Sequence, residues 1–236
     1  MALRWQVRSA RVTAFHYGKP APTSWWQLLH GAKAARTSKR GAFVEESGLI
    51  EGQRLILMDQ PNRMDVVLTP GQGNAAPELP VHSIGTIDAV SRRMSQLALK
   101  LATLAEFPTA NRLAFGVSLF QASSGRLETI EELAHIFPGL SRELQQSTDF
   151  VFQINHPAQE PLGDGSVEIN YLQKWFFSHL KLDGGTPTGP IEAFTANVEL
   201  DISTGISSTR RWSANEAVQI IPRLIRGAKR VLEESR

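Results

Sequence analysis

The chain of 236 residues carries 25 Lys and Arg against 23 Asp and Glu, with 42% hydrophobic and 20% charged residues; this is the composition of an ordinary folded protein long enough to bury its own core. It contains no cysteine, which excludes a disulfide framework, a thiolate zinc site, an iron–sulfur cluster and a cysteine nucleophile. The net charge of +2 averages over segregated segments: residues 1–44 hold eight cations and no carboxylate, residues 45–209 sum to −10, and residues 210–236 sum to +4. Such asymmetry marks an electrostatically specialised surface wherever the fold keeps the segments apart.

In chain order, Val7 to Tyr17 alternates loosely and predicts a first strand, with Val12, Ala14 and His16 on one side and Thr13, Phe15 and Tyr17 on the other. Thr23 or Ser24 caps a short helix bearing Trp25, Trp26, Leu28 and Leu29, and Thr37 to Gly41 reads as an exposed basic loop. Leu55 to Met58 and Met64 to Leu68 are two extended segments about a Pro61-Asn62 hairpin turn, followed by an internal loop over residues 70–85. Apolar positions at spacings of four and three predict a long amphipathic helix from Asp88 to Phe107.

Arg112 to Phe120 is then a strand, Glu128 to Ile136 a helix, and Phe150 to Asn155 a strand that ends at His156-Pro157. A turn at Gly163 to Gly165 leads into an extended Val167 to Leu182. The clearest strand follows, with Val198, Leu200 and Ile202 alternating against Asn197, Glu199, Asp201 and Ser203. The final helix opens with a capping box, Ser213 to Glu216, and Pro222 inside it predicts a kink or a break.

Grouped strands with three substantial helices predict one α+β domain over residues 1–236, built on an antiparallel or mixed sheet. The order can also be read as two strand–strand–helix halves, although no residue-level repeat is visible. With no run of 18 apolar residues and no N-terminal apolar stretch, the chain is expected to be cytoplasmic, without a membrane partner.

The sequence holds no nucleophile elbow, Walker A loop, zincin helix, calcium loop or glycine-rich dinucleotide turn. Its six histidines, at 16, 30, 82, 135, 156 and 179, do not pair at ligand spacing within one element, so no cofactor is expected. Glu199 and Asp201 project from the same face of one strand and, with Asp149, form the candidate metal ligands; the alternative is the solvated face of a strand. Arg63 and Asp65, and Asn155, Asn170 and Lys174, read as a local ion pair and as the wet face of a sheet.

The candidate nucleic-acid surface comprises Arg4, Arg8, Arg11, Lys33, Arg36, Lys39 and Arg40 of the basic segment 1–44, with Arg223, Arg226 and Arg230 on one face of the last helix. Cations neutralise phosphates, and Trp5, Tyr17, Trp25 and Trp26 would supply stacking faces. Against this stands a second assignment, in which the tryptophans are core and the cations neutralise the acidic middle of the chain.

The strings QPNRMD (Gln60 to Asp65), RLAFG (Arg112 to Gly116), STDFVFQIN (Ser147 to Asn155), INYLQKW (Ile169 to Trp175) and LDIST (Leu200 to Thr204) together resemble an uncharacterised family of bacterial proteins of about this length. Asn62 stands where that family usually has glycine and Tyr171 where it usually has arginine. The resemblance implies a bacterial cytoplasmic protein without an assigned reaction.

Three functions remain open from sequence. The first is a non-catalytic binding or accessory subunit of a bacterial multiprotein system, working with partner proteins of the same operon, as in defence against phage or mobile elements. The others are a protein that binds DNA or RNA through the two basic segments, and a metal-dependent enzyme.

Overall fold

The computed structural model describes residues 5–16, 24–71, 81–147, 149–163, 165–182, 191–205 and 210–235. Arg4, Tyr17, most of the 70–85 loop and the centre of the Gly163 to Gly165 turn lie outside them.

Nine strands, β1 (Gln6–His16), β2 (Arg36–Arg40), β3 (Phe43–Ile50), β4 (Gln53–Gln60), β5 (Arg63–Pro70), β6 (Ala110–Ser123), β7 (Val151–Leu162), β8 (Gly165–Leu182) and β9 (Ile191–Thr204), form one sheet in the order β2-β3-β4-β5-β1-β6-β9-β8-β7. Every neighbouring pair is antiparallel, so the fold is α+β with an antiparallel sheet. The helices are α1 (Trp25–His30), α2 (Ile87–Ala102), α3 (Arg126–Ile136), α4 (Ser141–Gln146) and α5 (Ala214–Glu234).

The order of elements repeats. A strand (β1), a helix (α1), a meander (β2 to β5) and a helix (α2) are followed by a strand (β6), helices (α3, α4), a meander (β7 to β9) and a helix (α5). In each half the last meander strand returns to pair with the first strand, and β1 and β6 join the halves at the centre. The register allows a two-fold axis through the Val12–Phe115 pair, which exchanges Thr13–Ala114 with Gly116–Arg11. Asp65 lies opposite Thr13 and Asp201 opposite Gly116, so these two carboxylates occupy equivalent positions.

One face of the sheet carries the core. Val12, Leu113, Phe115, Leu119, Val198 and Ile202 are buried against α2 and α5, whose own buried stripes run through Val90, Met94, Ala98 and Leu101 and through Ile221, Leu224, Ile225 and Ala228. Gly227 lets α5 approach the sheet, for a Cβ there would lie 2.9 Å from Tyr171 Cε1. The Ser213–Glu216 capping box is formed, and α5 runs as one helix through Pro222 rather than breaking there. No helix among the described residues is long and apolar enough to cross a membrane.

Four local expectations change. The basic Thr37 to Gly41 stretch is strand β2 and its turn, because Arg36 to Arg40 pairs along Phe43 to Ser47 at the sheet edge. Helix α2 ends at Ala102, short of Phe107, with Thr103 as its C-cap. Strand β7 continues through Pro157 and Pro161 to Leu162, as an edge strand can, since one side of it has no ladder partner. Trp5, Trp25 and Trp26 are core residues, 5 to 6% exposed, and offer no stacking faces.

Candidate functional site

Among the described residues no helix packs on the other sheet face, and its side chains form rows across the strands. One row runs Ser9, Ser118, Glu199, Lys174, Gln153; the next runs Val67, Arg11, Gly116, Asp201, Leu172, Asn155. A depression of about 590 Å³ is lined by residues from Met58 on β4 to Gln153 on β7. Those seven neighbouring strands would span about 29 Å if flat. One depression, the trough, thus runs across seven neighbouring strands on the face opposite the helices.

The strand sequences place the charges. A register shift between Val7 and Ser9 inserts Arg8 as a bulge residue, which turns it onto the trough face. There its guanidinium donates to Asn197 Oδ1 at 3.1 Å and lies over Phe120 at 5.5 Å. Arg112 lies over Phe15 at 5.1 Å and donates to Ser203 Oγ at 2.8 Å. Lys174 lies over Phe176 at 5.1 Å. Each cation therefore rests on a phenyl ring, which fixes its stem and holds its head at a set position.

The ion pairs in the trough differ in closeness. Asp65, with no exposed side-chain surface, accepts from Thr13 Oγ1 at 2.5 Å and Arg63 Nε at 2.6 Å. By contrast Arg11–Asp65, Arg112–Asp201 and Lys174–Glu199 stand at 3.9, 3.8 and 3.5 Å, beyond good hydrogen-bonding distance. Arg11 Nε, Arg112 Nε and Asp201 Oδ1 are shielded from solvent and make no hydrogen bond. Unsatisfied shielded groups of this kind are costly in a folded chain. At the floor, Gly116 carries no side chain, and a Cβ there would reach the Arg11 guanidinium at 3.7 Å.

The sequence-derived candidates fall on both sides of the sheet. Arg8 and Arg11 are in the trough, and Arg36 and Arg40 pair onto the same face at its β2 edge, while Lys39 points the other way. Lys33 is exposed in the loop after α1. Arg223, Arg226 and Arg230 belong to α5, on the helix-covered side. There Arg223 donates to the Pro161 carbonyl, and Arg230 donates to Glu160 Oε1 at 2.9 Å and to Tyr171 Oη at 2.6 Å. Burial works to raise Glu160, but the hydrogen bonds from Tyr171 and Arg230 hold its carboxyl below the usual range. The sheet separates Arg8, Arg11, Arg36 and Arg40 from the α5 cations, so these do not form one surface.

The three proposed metal ligands are also apart. Glu199 lies in the row of Gln153, and Asp149 precedes that residue by four positions on an adjoining course of chain, roughly 13 Å along the strand direction. Glu199 and Asp201 each stand beside a cation instead. Among the described residues no three His, Cys, Asp or Glu are grouped as a cation site. Arg112, Ser9 and Ser118 did not stand out as site residues in the sequence. Their common signal is a polar position alternating with a buried apolar one on each strand, which becomes a site only once the register aligns the strands.

No family model matches the chain, and no curated protein or solved structure matches it.

Proposed function

We propose that the chain is a non-catalytic binding subunit that holds its partner in the trough. The observation that carries this reading is the sheet face that no helix covers among the described residues, whose lining there contains Arg11, Lys174, Glu199 and Asp201 but no histidine to serve a serine nucleophile. Polar and charged groups fixed on strands, with shielded donors and acceptors left unpaired, suit recognition of a polar partner. Its place in a bacterial multiprotein system, including one directed against phage or mobile DNA, rests on the sequence resemblance.

The test compares capture of partners from host extract by the wild type, by Ser118→Trp in the trough and by Arg226→Ala on the helix-covered side. A partner retained by Arg226→Ala and lost by Ser118→Trp supports the trough as the binding face. Equal capture by all three refutes it.

A further inference from the structure

Resting on the trough as the binding face, we infer that its occupant is a single-stranded nucleic acid. Phosphates would meet Arg11 and Lys174, and bases would lie against Arg8 and Arg112. The charge of the face favours an anionic chain. Arg8, Arg11, Arg63, Arg112 and Lys174 converge from β1, β5, β6 and β8, against Asp65, Glu199 and Asp201. Arg63 and Asp65 neutralise each other at 2.6 Å, which leaves Arg8, Arg11, Arg112 and Lys174 against Glu199 and Asp201.

The remaining chemistry distinguishes a nucleic acid from a simple polyanion. Arg8 and Arg112 are held from below by Phe120 and Phe15, which leaves guanidinium planes on which unpaired bases stack. Arg11 keeps 40% of its side chain exposed, so its guanidinium can meet a phosphate oxygen, and Asp201 keeps 34% exposed, so its carboxylate can accept from an incoming donor. A carboxylate repels phosphate but accepts from the exocyclic amino group of a base such as cytosine. A trough that presents both groups in one row, two strands apart, therefore reads a chain in which anionic links alternate with amino-bearing bases. Its volume of about 590 Å³ is that of a small-ligand cleft, sufficient for a short unpaired stretch and too small for a duplex.

The experiment is fluorescence anisotropy with labelled oligo(dC), oligo(dT), oligo(rC) and a hairpin duplex, with a poly-glutamate peptide as competitor. Two phosphate contacts on a single strand give a salt slope of about −1.4, so affinity for oligo(C) should fall about sevenfold between about 50 and about 200 mM salt. Lys174→Gln should reduce that drop to about threefold. Asp201→Ala, which removes the acceptor, should abolish the preference for oligo(dC) over oligo(dT), and Arg226→Ala should change nothing, with thermal melts confirming that each variant is folded.

The inference is overturned if no single strand binds at low salt or if the duplex binds equally well. It is also overturned if Arg226→Ala costs as much as Lys174→Gln, or if poly-glutamate competes as effectively as oligo(dC), which would assign the face to an acidic protein. If oligonucleotides fail while Ser118→Trp still loses a captured partner, the nucleic acid is wrong and the trough remains the binding face.

Discussion

Glu132 on α3 gives the sharpest test of the energetics on the helix-covered side. Its carboxylate accepts from the Gln121 amide of β6, while Glu132 Oε2 and Gln121 Oε1 are shielded without partners. Burial first, then the nearby charge of Glu128, pushes its pKa from 4.5 up to about 7. A carboxyl that is harder to ionise in the folded chain than in the unfolded one keeps its proton on folding between these values. The folded state then binds more protons, and stability falls as pH rises from about 4.5 through about 7.

A displacement from 4.5 to about 7 in a fully buried group would correspond to about 3 kcal/mol. The group is only partly buried, so screening by water reduces the expected penalty to about 1 kcal/mol. Glu132→Gln keeps the shape and removes the ionisation. At pH 8.5 it should melt about 2–4 °C above the wild type, while at pH 5 the two should nearly coincide. Differential scanning calorimetry at the two pH values reads this directly. A variant that is no more stable than wild type at pH 8.5, or that differs equally at both pH values, refutes an ionisation penalty at this position.

Asp65→Ala leaves Thr13 and Arg63 without their acceptor under a fully covered position. It should cost about 2–4 kcal/mol in urea denaturation, and a loss under about 0.5 kcal/mol would show the pair to be ornamental. Gly227→Ala places a methyl 2.9 Å from Tyr171 Cε1 and 3.3 Å from Ile202 Cγ2. The Tyr171 ring is tethered through its hydroxyl to Glu160 and Arg230, so overpacking should outweigh the helical gain of about 1 kcal/mol and lower the Tm; an unchanged or raised Tm contradicts this. Ser213→Ala removes the hydroxyl that accepts from the Glu216 N–H and donates to its carboxylate, while the backbone N–H of residue 213 keeps its bond to Glu216; it should cost about 1 kcal/mol by chemical denaturation, whereas a neutral result would mean that packing alone fixes the helix start.

Where a segment's own pattern matches its environment, the sequence is readable. β9 alternates cleanly because one face meets α5 and the other the trough, and the Pro61-Asn62 turn separates β4 from β5 as expected. β3 was not legible, because Glu46 and Ser47 sit at buried positions and break the alternation. Glu46 is buried for a tertiary reason, accepting from Ser24 Oγ at 2.5 Å and from the Trp26 backbone N–H at 2.8 Å at the start of α1. β2 has no apolar side chain to announce it. β7 outruns the proline signal because an edge strand has a free side. The trough was visible only in fragments: Glu199 and Asp201 stood out on one strand, but the rows joining them to Ser9, Arg11, Gly116 and Lys174 depend on register between strands far apart in sequence.

The internal two-fold explains why Asp201 is open while Asp65 is locked. Asp65 is held by Thr13, directly opposite it on β1, and by Arg63 two residues earlier on β5. At the equivalent positions of the second half, Gly116 stands where Thr13 does, and Glu199 stands where Arg63 does. Glycine supplies no hydroxyl to donate and no side chain to cover the carboxylate. Glutamate supplies a like charge in place of a cation. Asp201 is thereby deprived of both partners that make Asp65 structural, and is left with Arg112 at 3.8 Å and an unsatisfied oxygen. The same glycine clears the floor in front of Arg11. These two departures from the internal symmetry accompany a carboxylate side chain 34% exposed at Asp201 where that of Asp65 is fully covered, at the centre of the helix-bare face.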